Sequence, residues 1–342
     1  MSEAKITRRP RIGFQVTQLS DDYCKMYLTE IQDACRDAGA DLTVFAGGSL
    51  SDPHTFEYQM NTVYNYLNTE NVDALILLAG TLANYASESQ LADFYSFIAG
   101  LPLVSVSIAI PGRPSILVDN KSALRDAILH VVNVHERKRV AFICGHECNL
   151  EARERFEVYR ATLEEAGLPY DPLLVCQGDF TPHSGSKAVV TLIDERKVDF
   201  DALIGANDTM ALTAMQALTA RGIAVPRDVS VVGFDDLLQS VYASPPLTTI
   251  RQPYRLQARK AVDLALKGIS GEVPPISESL PAELIIRSSC GCLPRSLGLF
   301  NEVVGIIECM PKNSRGYGFD ELLAEINKLD RPESLDDAEV AE

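Results

Sequence analysis

Two sets of short apolar runs, each run followed by a stretch of helical periodicity, constrain the fold of this 342-residue sequence more than any other feature. RIGFQV (11–16), DLTVFA (41–46), DALILL (73–78) and PLVSVSI (102–108) form the first set. RVAFIC (139–144), LLVCQG (173–178), ALIGA (202–206) and SVVGF (230–234) form the second. Runs apolar on both faces are strands covered by helices on both sides, which is the habit of parallel sheets. Between the first two runs, Cys24, Tyr27, Leu28, Ile31, Cys35 and Ala38 recur at helical spacing, and Gly39 closes the helix. Helical stretches at about 150–166, 183–196 and 208–221 separate the runs of the second set.

Two such sets imply an α/β protein of two doubly wound, Rossmann-like parallel-sheet subdomains, with the chain passing from one to the other near residue 120. PPLTTIRQP (245–253), an amphipathic stretch at 254–267 and ELIIRSS (283–289) are too little for a third domain and complete the two sheets. The subdomains are then joined by a three-segment hinge. The expected division is an N-terminal extension over 1–10, an N-terminal subdomain over 11–119 plus 250–276, and a C-terminal subdomain over 120–249 plus 277–292. Residues 293–342 form a C-terminal extension ending in a partly disordered acidic tail, ESLDDAEVAE.

A hydrophobic share of 46% and a charged share of 23% suit a soluble globular chain, and no apolar run approaches the length of a membrane span. The opening MSEAKITRRP lacks the apolar core of a signal peptide, so a cytoplasmic location is expected, with the eight cysteines reduced. Cys144, His146 and Cys148, and likewise Cys290-Gly-Cys292, lack a second pair at ligand spacing; neither a metal nor a cofactor is expected. A net charge of −16, with no basic run longer than ERKR at 136–139, opposes nucleic-acid binding by this chain.

Polar residues stand where strands of the second set should end. Asn207 and Asp208 follow ALIGA, and Asp235 and Asp236 follow SVVGF. In open α/β sheets ligands bind beyond the carboxyl ends of the strands. A carboxylate accepts hydroxyl hydrogen bonds while an amide both donates and accepts, which equips Asp235 and Asn207 to read a small polyhydroxylated or heterocyclic ligand. Asp208 reads more simply as a cap of the helix after it, and Asp236 as a partner of loop backbone. Position alone adds Gln18 and Asp22 after the first strand, Thr81 after the third, and His146 and Glu147 in the loop GHECN.

NDTMALTAMQAL (207–218), VPRDVSVVGFDD (225–236) and PPLTTIRQP (245–253), in this order, resemble the ligand-binding core of the lac repressor family, which has the periplasmic-binding-protein type I fold. The likeness runs from about Arg11 to Arg287. It implies a cleft between the subdomains, with Arg155 in EARERFEVYRATLEEAGL reaching the ligand and Tyr254 offering a ring for stacking. Val158-Tyr159 replaces the family's Gly-Tyr. Ten residues precede Arg11, too few for the family's helix-turn-helix of roughly 60 residues. Residues 47–85 and ELIIRSSCGC (283–292) resemble a subgroup that serves as the sensor of larger bacterial signalling proteins, with histidine kinase, diguanylate cyclase or DNA-binding output.

The resemblance implies a cytoplasmic sensor of a sugar-like or nucleobase-like effector, working with a fused or associated output module and without membrane contact. A solute-binding protein for transport is the alternative that the missing signal peptide opposes. An enzyme would need an unrecognised site, since no Walker loop, nucleophile elbow, HExxH or GxGxxG occurs. Members of the family pair through the first subdomain. Tyr58, Tyr64, Leu67, Leu91, Phe94 and Phe97 at 54–69 and 88–98 therefore suggest the apolar surface of a homodimer.

Overall fold

Strand β1 (Arg11–Val16) lies inside the first sheet, and α1 (Asp22–Asp37) carries the chain back to its parallel neighbour β2 (Asp41–Ala46). The computed structural model describes residues 8–53, 56–272 and 277–292. Asp21 caps α1 by accepting from the Cys24 amide, and Cys24, Tyr27, Ile31, Ala34 and Cys35 form its buried face. On the other side of β1 come β3 (Ala74–Leu78), β4 (Leu103–Val106) and β5 (Ser115–Asp119), with the short α2 (Ala79–Leu82) and α3 (Glu88–Phe97) between β3 and β4. β5 is a strand beyond the four runs of the first set.

The second lobe begins with α4 (Asn120–Leu129), which runs directly into a π-helical turn over His130–Val134. There follow β6 (Val140–Ile143), α5 (Leu150–Glu165), β7 (Val175–Cys176), α6 (Pro182–Val189), β8 (Ala202–Gly205), α7 (Asp208–Thr219), β9 (Ser230–Val232) and α8 (Leu238–Tyr242). Its four parallel strands lie in the order β7-β6-β8-β9. Every residue of β6, β8 and β9 is buried, as strands sandwiched between helix layers must be.

The chain then returns through β10 (Thr249–Arg251), α9 (Tyr254–Ile269), β11 (Ser277–Pro281) and β12 (Glu283–Ile285). α9 packs Ala258, Ala261, Val262, Leu264 and Ala265 into the same core as the buried face of α1. Leaving that helix, β11 pairs parallel to β5 and closes the six-stranded order β11-β5-β4-β3-β1-β2. The expected assignment of 277–292 to the second subdomain is therefore corrected: 277–281 belong to the first sheet. The reason is the edge position of β11, which leaves alternate residues of SESLP exposed and removes the apolar signal that marked the other strands. β10 and β12 pair antiparallel as a two-stranded ribbon where the chain crosses between lobes. The expected acidic extension over 293–342 lies outside the described residues, as do residues 1–7 of the N-terminal extension.

The first lobe also corrects the expected apolar surface. Tyr64, Leu67 and Leu91 are buried in the core beneath β3, together with Leu75, Leu77 and Ile98. The stretch at 57–66 is a 3₁₀ helix rather than an α-helix. Met60, Tyr66 and Phe97 remain exposed, at 48%, 62% and 58%.

Candidate functional site

Asp235 follows β9 with its backbone at φ 116°, and Asp236 follows at φ 55°. Two successive non-glycine residues in this sparsely populated region turn the chain sharply, a strain that tends to collect at functional sites. The turn is pinned by the Asp235 amide donating to the Ile250 carbonyl at 2.8 Å and by Tyr254 Oη donating to the Asp235 carbonyl at 2.8 Å. The Asp235 carboxyl is buried and accepts from Gln252 Nε2 at 2.7 Å. Burial pushes it well above the usual carboxylate range; Arg155 pulls it back, and the nearby Asp208 raises it further.

Asn149 caps α5 by accepting from the Ala152 amide at 2.9 Å, which sets Glu151 in the first turn and Arg155 one turn later. The two are neighbours on one helix face, with Arg155 Nη2 3.6 Å from Glu151 Oε1. Arg155 is 3% exposed. Its guanidinium donates to the Ala206 carbonyl at 2.7 Å and to Asn120 Oδ1 at 3.3 Å, and its central carbon lies 3.7 Å over the Phe234 ring. Burial raises the Glu151 pKa, which Arg155 and a hydrogen bond from Asn120 partly offset. One buried guanidinium thus serves two buried carboxyl groups.

A third carboxyl lies behind them. Asp208 accepts from Ser240 Oγ at 2.6 Å, Thr249 Oγ1 at 2.5 Å and the Leu237 amide at 2.8 Å, bracing the loop after β9. Burial nevertheless lifts its pKa to about 7. It is Asn207 that caps α7, accepting from the Met210 amide at 3.0 Å, so the cap expected of Asp208 falls one residue earlier. Asp236, expected to bind loop backbone, instead pairs through its carboxylate with Arg251 and Arg287, each at 2.6 Å.

Several of these groups and the first lobe line a polar cleft between the lobes. Asp21, Tyr23, Gly80, Thr81 and Asn84 line one wall; Asn149, Glu151, Arg155, Phe180, Asn207, Thr209 and Asp235 line the other. Asn149 Nδ2 crosses between the lobes, donating to the Gly80 carbonyl at 2.9 Å and to Asn84 Oδ1 at 2.8 Å. A Cβ at position 80 would stand 2.8 Å from Glu151 Oε2, so glycine permits this close approach.

Of the residues expected from sequence, Asp235, Asn207, Arg155 and Thr81 line the cleft. Gln18 and Asp22 line an adjoining groove that shares Thr81, Asn84, Phe180 and Thr209 with it, and Asp22 itself is held by Lys25 at 2.7 Å and by Gln239. Tyr254 is not a cleft ring: it stacks edge-on to Tyr27 at 4.9 Å and to Tyr23 at 6.0 Å, behind the aromatic that does reach the cavity. His146 packs edge-on against Tyr85 at 4.8 Å, and Glu147 is exposed; neither lines the cleft.

Sequence reasoning missed Asp21, Tyr23, Asn84, Asn149, Glu151, Phe180 and Thr209. Two of these carried a local signal. Asn149 precedes a helical run, as an N-cap does, and Glu151 stands four residues before Arg155. Tyr23 and Phe180 carried none, because which ring faces a cleft depends on how the lobes meet.

The family model described as a periplasmic binding protein-like domain matches residues 134–290. The chain is 32% identical over 239 residues to the transcriptional repressor CytR of Escherichia coli strain K12, covering 69% of this chain and 68% of that one. It is 39% identical over 173 residues to the transcriptional regulator CelR of Thermobifida fusca, which is half the length of each. With the transcriptional repressor PurR of Haemophilus influenzae it shares 29% identity over 291 residues, 83% of this chain and 82% of that one. Among solved structures, a CelR–cellobiose complex matches with a TM-score of 0.70 at 29% identity, over 82% of this chain and 85% of that one. A lac repressor dimer bound to operator and the anti-inducer ONPF matches with a TM-score of 0.69 at 25% identity, over 83% and 94%.

Proposed function

This chain belongs to the lac repressor family, and on that premise we propose that it is a cytoplasmic sensor whose effector is a small polyhydroxylated, sugar-like molecule. Its relatives are transcriptional regulators and repressors, and it is a ligand-binding regulator rather than an enzyme. The observation that carries the effector class is the cluster of the Arg155 guanidinium, paired with Glu151 at 3.6 Å, and the Asp235 carboxyl, which feels its charge, all lining the cleft. Carboxylates left with spare acceptor capacity suit ligand hydroxyls, while Asn84, Asn149 and Asn207 can both donate and accept. Tyr23 and Phe180 add apolar ring surface for the faces of a pyranose. The structurally similar CelR was solved as a complex with cellobiose, which accords with this class.

The effector would act through the hinge. It touches both walls only when the lobes are closed, so it favours closure by its extra affinity for that state. Moving from mostly open to mostly closed takes about 5.5 kcal/mol of differential affinity, within reach of several charge-assisted hydrogen bonds. The chain pairs as a homodimer through its first lobe, and a fused or associated module reads the change. A net charge of −16 gives the chain itself no surface suited to releasing phosphate counterions.

A thermal-shift panel of monosaccharides, disaccharides including cellobiose, nucleosides and nucleobases tests the proposal. A ligand at 100 times its Kd adds about 2.7 kcal/mol of stability. Stabilisation by a saccharide supports the sugar class, whereas stabilisation by a nucleoside or nucleobase alone assigns the cleft to that class and overturns it. A panel without any shift overturns the sensor reading for both.

A further inference from the structure

Away from the cleft, the end of α4 and the C-terminal end of the described fold bring together side chains that the sensor function does not use. His130 opens the π-helical turn and His135 follows its close. In an α-helix residues five apart diverge, but a π turn bonds i to i+5 and brings them onto one side. The Nε2 atoms of the two rings stand 3.3 Å apart, and Cys290 Sγ is 3.5 Å from His130 Nε2. All three ligand atoms lie within 4.8 Å of one another.

These separations have a meaning. A tetrahedral zinc ion, with bonds of roughly 2.05 Å to nitrogen and roughly 2.3 Å to sulfur, has an N–N edge of about 3.3 Å and an N–S edge of about 3.5 Å. Two edges of that tetrahedron are already present. The backbone that carries Cys290 is rigidly held: Ser230 Oγ donates to the Cys290 carbonyl at 2.6 Å, and Ser289 Oγ to the Val231 carbonyl at 2.6 Å. Cys290 is buried, while both rings are half-buried and give an ion a way in. The sequence supplies a second thiol, Cys292, two residues on. Cys-Gly-Cys showed no partner pair at ligand spacing along the chain; the fold provides one from 160 residues away, in His130.

We infer that His130, His135 and Cys290, with Cys292 as the fourth ligand, form a structural binding site for zinc or a metal of similar softness. Imidazole nitrogen and thiolate sulfur are the donors that such ions select. The neutral rings bind through nitrogen lone pairs. Each cysteine thiol gives its proton to solvent as its sulfur bonds the ion, so loading releases protons and strengthens with pH. The bound ion would fasten the segment after β12 to the end of α4, whose first residue, Asn120, hydrogen-bonds Glu151 and Arg155 in the cleft.

The test uses the full chain, stripped with a chelator, kept reduced and titrated with zinc chloride against a colorimetric chelator. One equivalent of zinc should be retained per chain, and cobalt(II) in its place should show a thiolate charge-transfer band with the visible spectrum of a tetrahedral ion. His135→Ala, at a half-buried ring, should weaken retention at least about 100-fold with an unchanged circular dichroism spectrum, and Cys290→Ser should remove the charge-transfer band. His146→Ala, in the other cysteine-rich stretch, should retain zinc as the wild type does. Complete loss of zinc from the wild type to the chelator overturns the inference. So does retention by His135→Ala, or a cobalt spectrum without thiolate character.

Discussion

Gln252 donates from Nε2 to Asp235 Oδ1 across 2.7 Å, so a residue of the inter-lobe crossing holds the carboxyl at the end of β9. Both are buried, and Gln252 lines no part of the cleft. A rotation of the crossing therefore moves a ligand-facing group directly. Gln252→Leu, which keeps the volume and removes the donor, should lower effector affinity about tenfold, the worth of one hydrogen bond to a charged acceptor. Calorimetric titration with the effector found in the panel measures this; unchanged affinity would release Asp235 from control by the crossing.

Asp235→Asn keeps the side-chain shape, and asparagine tolerates positive φ as aspartate does. It replaces one carboxyl oxygen with an amide donor and should weaken effector binding by roughly 10- to 100-fold while the protein still unfolds in one cooperative step. Equal binding by variant and wild type would place the ligand elsewhere.

Arg155 supplies the positive charge beside two buried carboxyl groups, Glu151 at 3.6 Å and Asp235, so Arg155→Met should cost about 3–5 kcal/mol of stability by removing that counter-charge. In an Asp235→Asn background the same substitution should cost less, because one of the two charges is already gone. Urea unfolding of the four proteins gives the coupling, and strictly additive losses would show that Arg155 and Asp235 do not interact.

Asp208 carries a pKa of about 7 in the fold against an ordinary 3.8. Between those values the folded protein holds a proton that the unfolded chain has lost. Stability from this group is therefore complete below about pH 4, declines as pH rises, and has gone above about pH 7, at no more than about 1.4 kcal/mol per pH unit. Urea unfolding at about pH 4.5 and about pH 7.5 should show this decline in the wild type and a smaller one in Asp208→Asn. Equal declines would assign the slope to other groups.

Phe56, Met60, Tyr66 and Phe97 are exposed apolar side chains in the first-lobe stretches where pairing is expected. The chain should be a dimer at tens of micromolar, and Phe97→Glu should shift it toward monomer. Light scattering reads both, and a monomeric wild type would defeat the expectation.

Much of this architecture was legible in the residues. Strands buried on both faces must be apolar throughout, so ALILL at 74–78 and VAFI at 140–143 announce themselves, and the turns after β8 and β9 announce Asn207 and Asp235. β11 did not, because an edge strand is half solvated and SESLP has no apolar rhythm. Arg155 became visible only through a family resemblance, since one arginine on a helix looks like any other until the opposite lobe is in place.

What the sequence by itself determined is which segments are strands and helices and which polar residues stand at strand ends, because periodicity and chain direction are local properties. What only the tertiary structure decided is which side chains meet across a distance. Asn149 finds the Gly80 carbonyl 69 residues away, Tyr23 displaces Tyr254 from the cleft wall, and His130 meets Cys290 across 160 residues. Such meetings depend on how two lobes and a helix end are brought together by their packed cores, a collective geometry that no single stretch of residues encodes.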